Sequence, residues 1–253
     1  MKKTALAAAI LAMAPVAAQA DLLFTVGAKA SVWNAEATGQ LDDGLSVEKD
    51  GLNLDSDNGN QITVFFEHPL PFIPNVKLKQ TALEVEGDGA FTIADFDGQS
   101  FDGAVNTAVD LAHTDLTLYW GLPLPLPYID INFGLTARQF DGSATITGTD
   151  NGFAVSKSVD LDLTLPMAYG EVKVGTPFGI YAAADVNYIG FGDNKITDMS
   201  ATLGYDLPIP VVDIALEGGY RSLSLQTDSS DVDIDADMDI KGAFFGASLS
   251  LGF

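Results

Sequence analysis

The feature that most constrains this chain is a strict alternation of apolar and polar residues, which recurs along its length. The segment 130–139 sets Ile131, Phe133, Leu135 and Ala137 against Asp130, Asn132, Gly134, Thr136 and Arg138. Successive side chains of a β-strand point to opposite faces, so this pattern predicts a strand with one apolar and one polar face. Similar alternation appears in 24–32, 160–167, 180–187, 213–221 and 243–253. The chain is therefore predicted to be all-β.

A β-sandwich also alternates, so three further features decide the architecture. No helical pattern competes, and several predicted strands reach about ten residues, the length that a tilted membrane-crossing strand needs. The chain ends on Phe253, in phase with an apolar face. Short, proline-rich turns alternate with mostly long, acidic loops, as in outer-membrane barrels. The turns are 68–75, 121–127, 175–177 and 206–210, and the loops are 37–60, 87–108, 141–158 and 225–238.

These features predict a transmembrane, antiparallel, up-and-down β-barrel of about ten strands, with eight or twelve as alternatives. The predicted strands are 22–35, 61–68, 76–86, 110–120, 128–140, 159–173, 178–190, 195–206, 211–224 and 239–253. An even number of strands places both termini at the same end of the barrel. In the third strand, Val76 and Leu78 share one face whereas Leu83 and Val85 share the other, so we expect a bulge or a longer turn there.

The first residues have the pattern of a secretory signal peptide. Lys2 and Lys3 precede an apolar stretch over 5–18, and Ala18-Gln19-Ala20 forms a cleavage site with small residues at both ends. The predicted organisation is a cleaved signal peptide over 1–20 and a barrel over 21–253. The predicted location is the cell outer membrane of a Gram-negative bacterium.

Charge and cysteine content exclude several kinds of partner and site. The chain has 12 Lys and Arg against 35 Asp and Glu, a net charge of −23. Nucleic acid is not expected as a partner, because binding phosphates requires clustered Lys and Arg. The chain has no Cys, which excludes disulfides and thiolate metal sites. We expect no cofactor.

The repeated Pro-Leu-Pro turns, the strand Thr-Asp-Leu-Thr-Leu-Tyr-Trp over 114–120 and the terminal Phe carry a family resemblance. Together they resemble a family of small proteobacterial outer-membrane β-barrel proteins of unassigned function. The resemblance implies a barrel surrounded by outer-membrane lipid and lipopolysaccharide, and it transfers no catalytic residue. A terminal Phe on an alternating last strand also resembles the signal read by the barrel assembly machinery, so Phe253 is the predicted assembly signal.

The polar faces of the strands are expected to line the lumen. The predicted lining residues are Lys29, Asp115, Asp130, Arg138, Asp160, Asp162, Asp185, Asp213, Glu217 and Arg221. Mixed charges inside a narrow barrel are most often ion pairs and hydrogen bonds that fill the lumen. A narrow water path is the alternative, and the acidic lining favours cations in either case.

One pair of residues raises the question of catalysis. His113 and Asp115 lie two positions apart, hence on one face of a strand. Such a pair can position a water molecule as general base. No nucleophile motif or oxyanion donor accompanies the pair, so the sequence predicts no enzyme.

Two acidic segments are predicted at the outer end. One contains Asp231, Asp233, Asp235, Asp237 and Asp239, and the other contains Asp42, Asp43, Glu48, Asp50, Asp55 and Asp57. Carboxylates on one side of a strand are about 6.6–6.8 Å apart, too far for one ion. The glycine and final Glu of an EF-hand loop are also missing, so no metal site is assigned. The two segments adjoin if the first strand pairs with the last, and shared divalent ions or a halophilic habitat would both fit.

Three functions remain open from the sequence. The leading hypothesis is a non-enzymatic outer-membrane barrel, structural or a narrow, cation-leaning pore for small solutes. The second is a surface-interaction barrel whose acidic outer loops bind divalent cations, lipopolysaccharide or a host surface. The third is an outer-membrane hydrolase that uses His113.

Deleting Phe253 tests its assignment as the assembly signal. We expect less barrel in the outer membrane and more unfolded chain in the periplasm, because the assembly machinery would no longer recognise the last strand. Immunoblots of the two fractions measure the ratio. Unchanged assembly of the truncated chain would contradict the assignment.

Overall fold

A computed structural model describes most of the chain: residues 24–41, 45–48, 51–54, 57–123, 126–192, 194–227 and 236–253. The predicted signal peptide lies outside these ranges. So do Asp42, Asp43, Asp50 and Asp55 of the first acidic segment and Asp231, Asp233 and Asp235 of the second.

The described ranges form strands without helices. No helix within them has the length and hydropathy to cross a membrane. The fifteen strands are β1 (Thr25–Leu41), β2 (Leu45–Ser46), β3 (Asp57–Glu67), β4 (Asn75–Ala82), β5 (Glu84–Phe96), β6 (Gln99–Asp110), β7 (His113–Gly121), β8 (Ile129–Phe140), β9 (Gly142–Asp150), β10 (Phe153–Leu161), β11 (Thr164–Gly175), β12 (Ile180–Phe191), β13 (Asn194–Asp206), β14 (Asp213–Thr227) and β15 (Ala236–Gly252).

Ten of these strands form a closed antiparallel barrel, in the order β1-β3-β4-β7-β8-β11-β12-β13-β14-β15. The barrel closes where β15 pairs with β1 over a register from Thr25↔Gly252 to Leu41↔Ala236. Next to this seam, Phe24 and Phe253 exchange backbone hydrogen bonds of 3.1 and 2.9 Å. The predicted ten-stranded antiparallel barrel is therefore confirmed. We call the end with Phe24, Phe253 and the short turns the turn end, and the opposite end the loop end.

The two segments predicted as long loops over 87–108 and 141–158 are instead β-hairpins, which corrects the sequence interpretation. The hairpins β5–β6 and β9–β10 pair through β6 and β9 into a four-stranded sheet. In chain order they extend the barrel strands β4, β7, β8 and β11, so the sheet raises one side of the wall at the loop end. Their inner face buries apolar side chains, including Val105, Val109, Ala144 and Ile146.

The polarity of both barrel faces inverts along each long strand, as β1 shows. Near the turn end, Val26 and Val32 point outward and are about half exposed, whereas Lys29 points inward. Farther along, the outward position is the exposed Glu36 and the inward position is Trp33, which is fully buried. A barrel that is apolar outside and polar inside near the turn end therefore becomes polar outside and apolar inside near the loop end.

The inversion also explains the change of phase expected in the third strand. Thr81, Leu83 and Val85 are all buried, so alternation continues without slipping from β4 into β5. Val76 and Leu78 point outward in the lower part, whereas Leu83 and Val85 point inward in the upper part. Neither the expected bulge nor the expected longer turn lies between β4 and β5, since Thr81↔His113 and Glu84↔Asp110 keep one register. The apolar face changes sides although the backbone phase does not.

The inward apolar side chains at the loop end form one core beneath the four-stranded sheet and the first loop. Its largest fully buried apolar members are Trp33, Leu52, Phe96, Phe101, Ile146, Met167, Leu223 and Ile240. The first loop is attached to the sheet by a bridge between Leu54 and Gly87. A Cβ atom at Gly87 would lie 2.5 Å from the backbone oxygens of Leu52 and Asn53, so only glycine permits this approach.

Aromatic side chains mark the outside of the barrel near the turn end. Phe24 stacks on Phe66 and on Phe253 with ring centroids 5.9 and 6.0 Å apart. Trp120 stacks on Phe133 at 6.2 Å. Aromatic side chains favour the boundary between lipid and water, so the position of these residues is consistent with a membrane surface at the turn end.

The inversion predicts that the same substitution has a large effect on stability at one outward position of β8 and a small effect at another. Leu135→Arg is expected to lose about 2–4 kcal/mol of stability in bilayers, because it places a charge on the apolar band. Gln139→Arg lies above that band on an exposed position and should change stability by less than about 0.5 kcal/mol. Urea unfolding in lipid vesicles measures both, and equal losses would contradict the position of the inversion.

Candidate functional site in the barrel lumen

The turn-end half of the lumen contains a polar cavity of about 770 Å³. Asp130, Asp206 and Asp213 line its mouth and are exposed, whereas Asp115 and Arg221 at its far end are buried. The cavity is therefore open at the turn end and blind toward the loop end.

The blind end is formed by a group of buried side chains that we call the central cluster: Thr81, His113, Asp115, Arg138, Asp198 and Arg221. Arg138 donates from Nε and Nη2 to the two carboxylate oxygens of Asp115, at 2.7 Å each. Its Nη2 also donates to Asp198 at 2.5 Å. Arg138 thereby connects two carboxylates that lie on different strands.

Arg221 completes the cluster from the other side of Asp198. Its Nε and Nη2 donate to the two oxygens of Asp198 at 2.9 and 2.7 Å. Its Nη1 donates to Thr81 at 3.2 Å, and its guanidinium lies 4.6 Å from the Trp33 ring centroid. With two guanidiniums and two carboxylates, the charges of the cluster balance.

The cluster joins strands that are far apart around the barrel. Arg138 on β8 reaches Asp198 on β13 across β11 and β12, and Arg221 on β14 reaches Thr81 on β4 across β15, β1 and β3. Each member points inward at the height where its strand changes polarity. The cluster therefore separates the polar cavity from the apolar core above it.

Both ring nitrogens of His113 lie within hydrogen-bonding distance of a neighbouring atom. Nδ1 lies 2.8 Å from the backbone oxygen of Leu111, and Nε2 lies 3.2 Å from Nη2 of Arg221. An arginine can only donate, so Nε2 accepts and Nδ1 carries the proton that it donates to Leu111. Neither nitrogen remains to act as a general base.

The same contacts bear on metal binding. Ligand atoms of His113, Asp115 and Asp198 lie within 4.8 Å of one another, a spacing that could hold a cation. Both carboxylates, however, accept hydrogen bonds from the guanidiniums of Arg138 and Arg221. Two positive charges at this distance repel a metal ion, so the arrangement is an ion-pair cluster.

Below the cluster, one wall of the cavity carries a lysine, two tyrosines and two glutamates. Lys77 donates to Glu171 at 3.0 Å and to the Tyr169 hydroxyl at 2.6 Å, and Tyr169 donates to Glu171 at 2.7 Å. Tyr119 donates to Glu67 at 2.7 Å, and Lys77 lies above its ring. These groups satisfy one another and hold β3, β4, β7 and β11 together.

The other wall repeats this chemistry. Lys29 forms an ion pair with Glu217, and Tyr181 donates to Glu217 at 2.5 Å. Lys173 Nζ lies 4.0 Å from the centroid of the Tyr181 ring. The middle of the cavity is therefore lined by charged groups with specific partners.

The structure places the predicted lining residues as follows. The cavity is lined by Lys29, Asp115, Asp130, Asp185, Asp213, Glu217 and Arg221. Arg138 lies in the central cluster. Asp160 and Asp162 are exposed on the outside and do not face the lumen, which corrects their assignment. They lie above the inversion, where Met167 is the buried, inward residue of the strand that follows.

Several charged lumen residues were missed from the sequence: Glu67, Lys77, Lys79, Glu171, Lys173, Asp198 and Asp206. Glu171 and Lys173 are in phase with Met167, and the alternation over 160–167 predicts that Met167 lies on the apolar face, away from the lumen. Lys77 and Lys79 lie on the strand with the apparent change of phase. Lys77, Lys79, Glu171 and Lys173 alternate with outward apolar residues, and this alternation indicates a position facing the lumen. The change of the apolar face along each strand concealed that indication.

No protein-family model and no curated protein matches the chain. Among solved structures, it is similar to Ail, the attachment invasion locus protein of Yersinia pestis, with 11% identity and a TM-score of 0.35 over 89% of this chain and 99% of that chain. It is also similar to Neisserial surface protein A, with 11% identity and a TM-score of 0.29 over 91% and 97% of the two chains. For the monoaromatic hydrocarbon channel CymD, the values are 9%, 0.35, 94% and 91%. These TM-scores are below 0.5, so the fold assignment rests on the strand pairings of this chain.

Removing one member of the central cluster should destabilise the barrel far more than breaking an exposed ion pair. Arg138→Ala leaves the buried carboxylate of Asp115 without its ionic partner and Asp198 with Arg221 alone, and we expect a loss of about 3–5 kcal/mol. The matched control is Lys157→Ala, because Lys157 and Asp97 form a half-exposed pair at 2.8 Å that is worth less than about 1 kcal/mol. Urea titrations of the folded barrels in detergent give both values, and similar losses would show that the cluster does not support the barrel.

Proposed function

We propose that the protein is a non-catalytic, integral outer-membrane β-barrel that is closed toward the cell exterior and presents an acidic surface there. The observation that carries this proposal is the filled loop-end half of the lumen. The central cluster closes the polar cavity, and Trp33, Met167, Leu223 and Ile240 are fully buried at the loop end.

The orientation follows from the connections. Short turns face the periplasm in outer-membrane barrels and longer segments face outward. The turn end, with the mouth of the cavity, would then open to the periplasm, and the four-stranded sheet would stand outside the cell. The apolar outward band would contact lipid, and the polar outward residues above it would contact lipopolysaccharide head groups and water.

Phe253 fits the proposed role as the signal for the barrel assembly machinery. Its ring is 60% exposed on the outside of the closing strand, and stacking on Phe24 positions it. A recognition element has to remain accessible on the last strand, and this position meets that requirement.

The outer surface supports a structural or surface-binding role. Its exposed carboxylates include Glu36, Glu84, Glu86, Asp88, Asp141, Asp160, Asp162 and Asp237. The lysines at this end are fewer, and two of them are paired, Lys157 with Asp97 and Lys241 with Asp239. Such a surface would bind the phosphates of lipopolysaccharide through shared divalent cations, because carboxylates and phosphates in direct contact repel each other.

A narrow, cation-leaning pore is the second candidate. The polar cavity favours it, because it reaches from the turn end to the central cluster and carries more carboxylates than lysines and arginines. Conduction would additionally require a path through the apolar core.

Single-channel recording in planar bilayers separates the two candidates. We expect no conductance steps from the wild-type barrel, because the core excludes water from the loop-end half of the lumen. A Trp33→Ala, Met167→Ala double variant removes two fully buried fillers of the core but leaves the central cluster in place, so it should also give no steps. Discrete steps from the wild-type protein would overturn the closed barrel in favour of the pore.

A further inference from the structure

Among the described residues that line the blind end of the cavity, Lys79 and Gln61 carry hydrogen-bond donors without partners. Lys79 points inward from β4, beside Asp115 in the register of β7, and lines the cavity. Among the residues that the structure describes, it forms no hydrogen bond and no ion pair. Gln61 on the neighbouring β3 also lines the cavity, is only 7% exposed, and its Nε2 has no partner. An ammonium and an amide N–H on adjacent strands are suited to holding a carboxylate.

A carboxylate without an ion pair among the described residues lies on another wall of the cavity, although Lys77 also acts on it electrostatically. Asp185 lines the cavity from β12, four strands from β4 around the ring, and its carboxylate accepts a hydrogen bond from Ser200. Lys79 interacts electrostatically with Asp185, but the two do not form an ion pair within the described lumen. Lys79 and Asp185 therefore carry opposite charges but lie on different walls of the cavity, without contact.

The neighbouring charges cannot satisfy either group. Asp115 and Asp198 also act on Lys79, as does Arg221, but hydrogen bonds commit both carboxylates to guanidiniums. Lys77, the next lysine along β4, is committed to Glu171. Charged groups left without partners at the end of a narrow cavity lose favourable solvation, so a ligand that completes both would be stabilised.

Charge selects the class of ligand. Adding a simple anion would leave an excess negative charge near Asp185, and the exposed Asp130, Asp206 and Asp213 at the mouth would repel it. A simple cation would leave Lys79 and Gln61 unsatisfied. A molecule that carries a carboxylate at one end and an ammonium at the other keeps the local charge balanced and satisfies both walls.

We infer that the cavity binds a small zwitterion of the amino-acid or dipeptide type from the turn end. Its carboxylate accepts hydrogen bonds from Lys79 Nζ and Gln61 Nε2, and its ammonium donates to Asp185. The cavity volume of about 770 Å³ lies within the range of about 300–1,000 Å³ that is usual for small-molecule sites. Water fills the space that so small a ligand leaves.

Calorimetric titration of the full folded barrel in detergent, with diglycine as the zwitterion and with acetate and methylamine as its two halves, tests this inference. Diglycine should bind at least about tenfold more tightly than either half, because only diglycine satisfies both walls. Gln61→Leu should weaken diglycine binding about tenfold. It removes a donor that has no partner in the protein, so folding should be unaffected. Lys79→Met and Asp185→Asn should each weaken binding by at least as much.

The matched control is Lys241→Met, since Lys241 pairs with Asp239 at the loop end, away from the cavity. It should bind diglycine as the wild type does. Equal binding of acetate would make this an anion site, and equal binding of methylamine a cation site. Heat from none of the probes would show that the cavity holds only water. Each of these outcomes overturns the inference. The conductance recording and the calorimetric titration test separate proposals, because ligand binding requires the cavity but does not require the barrel to be closed at the loop end.

Discussion

Charge pairing between the guanidiniums of Arg138 and Arg221 and the carboxylates of Asp115 and Asp198 is the interaction on which the rest of the lumen depends. All four groups are at most 3% exposed, and a buried charge is tolerated only when it is paired and hydrogen-bonded. Asp198 accepts from both guanidiniums, and Asp115 accepts from Arg138. Removing Arg138 therefore leaves Asp115 without its ionic partner, and removing Asp198 leaves Arg221 without a carboxylate. Because these partners lie on β7, β8, β13 and β14, the same contacts hold distant parts of the wall at fixed separation.

The cluster also lies at the height where the polarity on the two sides of the barrel wall changes. Near the turn end the wall separates an apolar exterior from a wet interior, and near the loop end it separates a polar exterior from a dry core. Residues such as Lys29 and Trp33 point the same way from one strand, four positions apart, yet they suit opposite environments. Arginines pair with carboxylates on one side and stack on aromatic rings on the other, as Arg221 does on Trp33, so they suit this boundary.

The two ends of the barrel differ in how their interior is filled. At the loop end, the described residues form an apolar core beneath the four-stranded sheet, and their outward surface carries exposed carboxylates. The turn end keeps an open, charged cavity whose walls are organised by Lys77 with Glu171 and by Lys29 with Glu217. The two halves of the lumen therefore differ: the turn-end half is a charged cavity, and the loop-end half is filled by apolar side chains.

Alternation along the sequence predicted the class of fold and a barrel of about ten strands, with both termini at the same end because the strand number is even. It did so because a strand has a strict period of two that one chain displays by itself. It assigned Lys29, Glu217 and Arg221 to the lumen for the same reason. It assigned Asp160 and Asp162 to the lumen wrongly, because which face is apolar depends on whether lipid or water lies outside at that height. The partners of the lumen charges were also beyond it. Arg138 and Asp198 are 60 residues apart, and only the closed ring of strands, with its register and diameter, brings them to hydrogen-bonding distance.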